Sequence, residues 1–119
     1  MFAVVVSIGA VIGALLRAMG QARMDSISWI PWGTLACNLS GCFIVGLVYP
    51  IIKTHSFWAS LIFVGALGAF TTFSSFAIQI VQMIANHQYN HALVYWLFSS
   101  LGCVVACYVG FFLNKQLQG

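Results

Sequence analysis

Acidic side chains are almost missing from this chain of 119 residues: Asp25 is the single carboxylate. Basic side chains number four, and charged residues make up 4% of the sequence against 62% hydrophobic. A soluble domain carries about 25% charged residues, so the composition excludes a water-exposed globule and describes an integral membrane protein with almost no mass outside the bilayer. No nucleic-acid partner is expected. Proton-coupled pumps and cation transporters normally rely on a carboxylate at membrane depth, and none exists here. There is no Ser-His-Asp set, no phosphate-binding loop and no cluster of metal ligands. His55, His87 and His91 fall at the ends of apolar runs, where solvated interfacial imidazoles are the expected state. The chain is also too short for a separate catalytic domain, so an enzyme is not expected. Cys37, Cys42, Cys103 and Cys107 all lie inside apolar runs, where free cysteine packs as a small apolar residue. Cys103 and Cys107 share a helix face but lack the His or carboxylate company of a metal site. The N-terminus has no basic segment and no small-residue cleavage site before the first apolar run ends, so that run is expected to be a retained helix.

What the chain has is apolar length. Four runs can be drawn, at about 2–20, 32–52, 57–85 and 91–114, each near the ~20 residues that a helical span requires. They predict one four-helix transmembrane domain covering residues 1–119. The connections hold the polar residues: Arg23, Asp25 and Ser26; Lys53, Thr54 and His55; Asn86, His87, Gln88 and Asn90. Trp29, Trp32, Trp58 and Tyr89 sit at the edges, where amphipathic rings anchor helices at the interface. Pro31 opens the second run and Pro50 falls near its end, positions that tolerate proline. Gly9 with Gly13, and Gly102 with Ala106 and Gly110, form small-residue stripes that let helices approach backbone to backbone.

The third run is too long for a straight span. Its 29 residues would reach ~43 Å against a ~30 Å hydrocarbon core. Gly65 and Gly68 precede Thr71-Thr72, so the helix is expected to break near 68–72. Hydroxyls and flexible backbone at membrane depth are costly unless they line something. Phe70, Phe73 and Phe76 recur at helical spacing beside a polar stripe of Thr72, Ser75 and Gln79. Ring edges carry partial positive charge, and with hydroxyl and amide donors they can replace the hydration shell of a small hard anion. The alternative is that Thr and Ser bond back to their own helix. Asn38, with two N–H donors, suits either an anion path or a helix–helix hydrogen bond. Ser99, Cys103 and Cys107 repeat every four residues as a second polar track. Arg17 either snorkels to the interface or makes a positive vestibule that concentrates anions. With four spans the positive charges divide evenly, Lys53 and Lys115 on one side and Arg17 and Arg23 on the other. The positive-inside rule then sets no orientation, and two oppositely inserted copies would form an antiparallel dimer.

Three motifs carry a resemblance over the whole chain. Gly9-x3-Gly13-Ala14-x2-Arg17, Gly33-Thr34-Leu35-x2-Asn38-x2-Gly41-x-Phe43 and Gly65-x2-Gly68-x2-Thr71-Thr72-Phe73-Ser74-Ser75-Phe76 resemble the signatures of the small bacterial fluoride channels of the Fluc or CrcB family. The resemblance implies a passive fluoride channel of the bacterial inner membrane that exports cytoplasmic fluoride and confers fluoride resistance. It implies an antiparallel, dual-topology homodimer with two fluoride pathways along the subunit interface. By match, Phe73 and Phe76 are the pore phenylalanines, Asn38 the pore-lining amide, and Ser74 and Ser75 nearby hydroxyls. Gly68 and Thr71 give backbone carbonyls to a central structural sodium ion. Gln79 stands where family members commonly have Glu, and the thiols of Cys103 and Cys107 stand where hydroxyls or a ring are usual. The alternatives are a small multidrug-type exporter, against which the missing carboxylate counts, and one half of a heterodimeric channel.

Overall fold

The structure is a computed structural model that describes residues 1–52 and 56–118. Lys53, Thr54 and His55 of the second connection, and Gly119, lie outside the described residues. The architecture is all-helical. Helix α1 spans Phe2–Met24, running past residue 20 to end beside Asp25. Helix α2 spans Trp32–Val48 and follows Pro31. It stops short of residue 52 because Pro50 has no N–H to donate to the carbonyl one turn back, and Tyr49 and Pro50 form a turn. The third run begins with Phe57–Ala59, capped by the Ser56 hydroxyl, which accepts the Ala59 N–H at 3.1 Å. It continues through a wider π-helical stretch, Ser60–Leu67, and a last turn, Gly68–Phe70; these pieces, residues 57–70, are α3. Thr71 and Thr72 then take extended dihedrals, with ψ of 150° and 122°. Helix α4 spans Phe73–Ala85 and α5 spans Tyr89–Gln118. Between them His87 adopts a left-handed φ of 58°, with Gln88 N–H on the Met83 carbonyl at 2.8 Å and His87 N–H on Ile84 at 3.0 Å, the paired bonds that close a helix C-terminus.

Three stretches are long and apolar enough to cross a membrane: Phe2–Met24, Phe57–Ala85 and Tyr89–Gln118, with Trp32–Val48 a shorter apolar helix. The chain is a multi-pass membrane protein. Lipid tails supply no hydrophobic drive between helices, so close packing of small residues must hold them. That is what the glycines do. Gly13 of α1 lies on the Ala66 carbonyl and Gly65 of α3 faces the Val6 carbonyl, where an added Cβ would come within 2.7 Å. Gly46 of α2 lies on the Cys107 carbonyl, and Gly110 of α5 on that of Phe43. A small side-chain core gathers Leu35, Phe76, Met83, Ala92 and Tyr95 where α2, α4 and α5 meet.

Candidate functional site

The site begins at the extended pair Thr71–Thr72. A helix that ends leaves its last carbonyls without intrahelical donors, and the neighbouring residues decide where those groups turn. The Thr71 N–H and hydroxyl both donate to the Leu67 carbonyl, at 3.1 and 2.9 Å. In a continuous helix the Thr72 N–H would serve Gly68; it donates to Asn38 Oδ1 at 2.7 Å instead, while Asn38 Nδ2 returns a bond of 3.0 Å to the Thr72 carbonyl. The Ser75 N–H would serve Thr71; the Thr72 hydroxyl takes it as an N-cap at 3.2 Å. The carbonyls of Gly68 and Thr71 are thereby released from the helical ladder. That of Ala69, between them, accepts from Arg17 Nη1 at 3.1 Å. Arg17 is half-buried and its Nε has no partner among the described residues; its positive charge sits at the negative end of α3.

Beside this junction lie two adjoining cavities. One, of about 160 Å³, is lined by Asn38, Thr72, Phe73, Phe76, Ser99, Ser100 and Cys103. The other, of about 190 Å³, is lined by Asn38, Cys42, Thr71, Thr72, Phe73 and Cys103. Phe73 and Phe76 have ring centroids 5.6 Å apart. Phe73 is 79% exposed at the mouth, whereas Phe76 is buried against the Tyr95 ring at 5.2 Å. The Ser99 hydroxyl is buried and has no hydrogen-bond partner among the described residues. Buried hydroxyls ordinarily have partners, so this one is open to a further acceptor, in a cavity also lined by two rings, a thiol, an amide and the side chains of Thr72 and Ser100.

The structure thus brings together Asn38, Thr72, Phe73, Phe76, Ser99 and Cys103. Ser74 is exposed, its hydroxyl 3.3 Å from that of Thr72, and Ser75 is half-buried beside it. Cys107 is not among the residues lining the two cavities; its carbonyl packs on Gly46. Two sequence stripes are corrected. Phe70 does not continue the face of Phe73 and Phe76, because helical spacing fails across two extended residues; it packs toward Gly41. Gln79 leaves the stripe of Thr72 and Ser75: its Nε2 donates to Thr34 Oγ1 at 2.9 Å and to Asp25 Oδ2 at 3.3 Å, and its Oε1 accepts from the Tyr95 hydroxyl at 2.6 Å.

Tyr95 is the residue that sequence reasoning missed. It lies four residues before Ser99, so the same period that picked out Ser99 and Cys103 also reaches it. Among the described residues no group of three His, Cys, Asp or Glu side chains is placed to hold a metal.

Residues 4–111 match the family model described as CrcB-like protein, Camphor Resistance (CrcB). The chain is 37% identical over 107 residues to the fluoride-specific ion channel FluC of Bordetella avium, covering 85% of this chain and 84% of that one. It is 35% identical over 120 residues to the protein of the same name from Magnetococcus marinus, covering 94% of this chain and 96% of the relative. The corresponding protein of Hahella chejuensis is 37% identical over 120 residues, with 96% and 94% covered. A match that runs through all the helices and takes in every cavity-lining residue leaves no part of the site outside the likeness, and the chain belongs to the CrcB family.

Proposed function

We propose that this chain is a passive, fluoride-selective ion channel of the bacterial inner membrane, and that it relieves the cytoplasm of fluoride and confers fluoride resistance. One observation carries the reading: the Ser99 hydroxyl, buried and unpartnered among the described residues, in the cavity it shares with Asn38, Thr72, Phe73, Phe76 and Cys103. A small hard anion can accept that hydroxyl proton, and the ring edges and thiol add weaker positive contacts. The only carboxylate, Asp25, is hydrogen-bonded elsewhere. The names of the three relatives favour the same ion. The path runs along Thr72, Ser74, Ser75, Phe73, Phe76 and Asn38 and then Ser99 and Cys103, with the charge of Arg17 drawing anions toward it. Chloride is rejected by a narrow path in which donor geometry suits the smaller ion.

The working unit is an antiparallel, dual-topology homodimer, since Phe73 and both cavities open on one side of the protomer and need a cover. The interruption at Thr71–Thr72 is a true helix break. Its released Gly68 and Thr71 carbonyls, met by those of a second copy, suit a sodium ion, which prefers oxygen donors and needs no carboxylate when enough carbonyls converge. When bound, that ion would neutralise the converging carbonyl dipoles at the dimer centre. Asn38 and the Thr72 hydroxyl keep those carbonyls free.

The test is fluoride efflux from liposomes holding the purified protein, read by a fluoride electrode with chloride as control. Rapid fluoride loss without chloride loss is expected, and Phe76→Ile, which keeps bulk but removes the ring edge, is expected to stop it. Absence of flux from folded wild-type protein overturns the proposal.

A further inference from the structure

Asp25 lies in the connection after α1, yet it is tied into the interior. Its Oδ1 accepts the Thr34 N–H of α2 at 2.8 Å and its Oδ2 accepts the Thr34 hydroxyl at 3.0 Å. Thr34 is fully buried, at 0% exposure. Having given its proton to Asp25, the Thr34 hydroxyl oxygen can only accept, and it takes the amide N–H groups of Gln21 at 3.0 Å and Gln79 at 2.9 Å. A carboxylate is acceptor-only, so Gln79 must turn its NH2 toward Asp25 and Thr34 and its carbonyl oxygen away. That oxygen meets Tyr95, whose hydroxyl must then be the donor, at 2.6 Å. Tyr95 is 1% exposed, and its ring packs on that of Phe76 at 5.2 Å.

From this chain of obligatory donors and acceptors we propose that Asp25 is a positioning residue for the anion path: through Gln79 and Tyr95 it sets the orientation of the Phe76 ring. The idea rests on the channel reading of the cavity, but the wiring itself does not. Asp25 does two things that a neutral residue cannot do together. It places negative charge at the N-terminus of α2, where the helix dipole favours it, and it imposes one orientation on the Gln79 amide. In Asp25→Asn two amide NH2 groups compete for the same acceptors. Gln79 relieves this by turning over, which takes its acceptor oxygen from the Tyr95 hydroxyl, sends that hydroxyl to the neighbouring Ser99 or Thr34 and shifts the ring beside Phe76.

The neighbouring groups define a second consequence. Within electrostatic range of Asp25 are Tyr95 on α5 and Cys37 on α2, and Arg17 of α1 acts on Cys37; Gln79 of α4 is neutral. A carboxylate introduced by Gln79→Glu would lie against Asp25, and two such groups cannot both ionise, so they share a proton.

The test is fluoride efflux from liposomes, with the ring resonances of labelled Phe76 and Tyr95 measured by NMR on the same full-length protein. Asp25→Asn keeps shape and an acceptor for Thr34. It is expected to slow efflux about tenfold, the equivalent of one hydrogen bond, and to move both ring signals. Gln79→Glu is expected to give efflux that changes with pH between about 5 and 8. The double variant Asp25→Asn, Gln79→Glu restores one carboxylate and one amide in exchanged places, and is expected to recover wild-type efflux without the pH step. Unmoved ring signals with unchanged efflux in Asp25→Asn, or flat pH dependence in Gln79→Glu, overturns the proposal. If the wild-type protein moves no fluoride, the channel reading fails by itself and the ring signals of Asp25→Asn alone decide the wiring.

Discussion

Asn38 commits both halves of its amide to the backbone of one residue, Thr72, 34 residues away in the chain. Replacing it tests two costs of different size. Asn38→Ala orphans the Thr72 N–H and carbonyl, at about 1–3 kcal/mol for each group. Asn38→Asp keeps the acceptor but turns a second oxygen on the Thr72 carbonyl and adds an unpaired buried charge, which costs about 3–5 kcal/mol. Both are expected to lower the thermal midpoint in detergent, and Asn38→Asp is also expected to stop fluoride efflux, since it places negative charge on the path. An Asn38→Asp protein that conducts normally removes Asn38 from the site. The thiols separate by the same logic. Cys103 lines both cavities and Cys107 neither, and a thiol is a weaker donor than a hydroxyl. Cys103→Ser is expected to speed fluoride efflux severalfold and Cys107→Ser to leave it unchanged; equal effects of the two would dissolve the distinction.

At the scale of elements, the junction between α3 and α4 is held by two side chains rather than by its own backbone. The Thr72 hydroxyl caps α4 through Ser75, and an N-cap hydroxyl is worth about 1 kcal/mol. Thr72→Val is therefore expected to lower stability by about that amount and to slow the channel by loosening the Phe73 end of α4, with the thermal midpoint and liposome efflux as readouts. Much of this arrangement was legible in the chain. Apolar length alone located the helices, and a glycine-threonine run marks where Thr71 and Thr72 lie extended. The Ser99–Cys103 pair followed from a period of four. That period also misled: each step of four residues turns a helix by ~40° beyond a full circle, so the stripe drifts off the cavity by Cys107 and points back to Tyr95. The partners of Asn38 and of Asp25 were not legible. They are set by how the helices come together around α2, whose approach to α5 is fixed by Gly46 and Gly110 on facing carbonyls, and no local pattern encodes it.

The whole protomer measures 46 × 34 × 20 Å, a slab about two helices thick, and Phe73 stands 79% exposed on it. A phenylalanine in lipid needs no cover, but an ion path beside it does. An anion that meets hydrocarbon on one flank is unsolvated there, and water cannot enter the bilayer to help. On the proposed reading a second copy is that cover. The sequence suggests how on the proposed topology: positive charges divide two against two, Lys53 and Lys115 against Arg17 and Arg23, so neither side dominates the insertion rule. Reporter fusions at the C-terminus, one active only in the cytoplasm and one only outside it, are expected to show comparable populations on both sides. A variant with two lysines added near the C-terminus should adopt one orientation and lose efflux when expressed alone. Coexpression with a variant biased the other way by lysines in the Arg23 connection should restore it. Full efflux from the single biased variant would mean that oppositely inserted copies are not required, and the two-fold arrangement around Gly68 and Thr71 would fall with it.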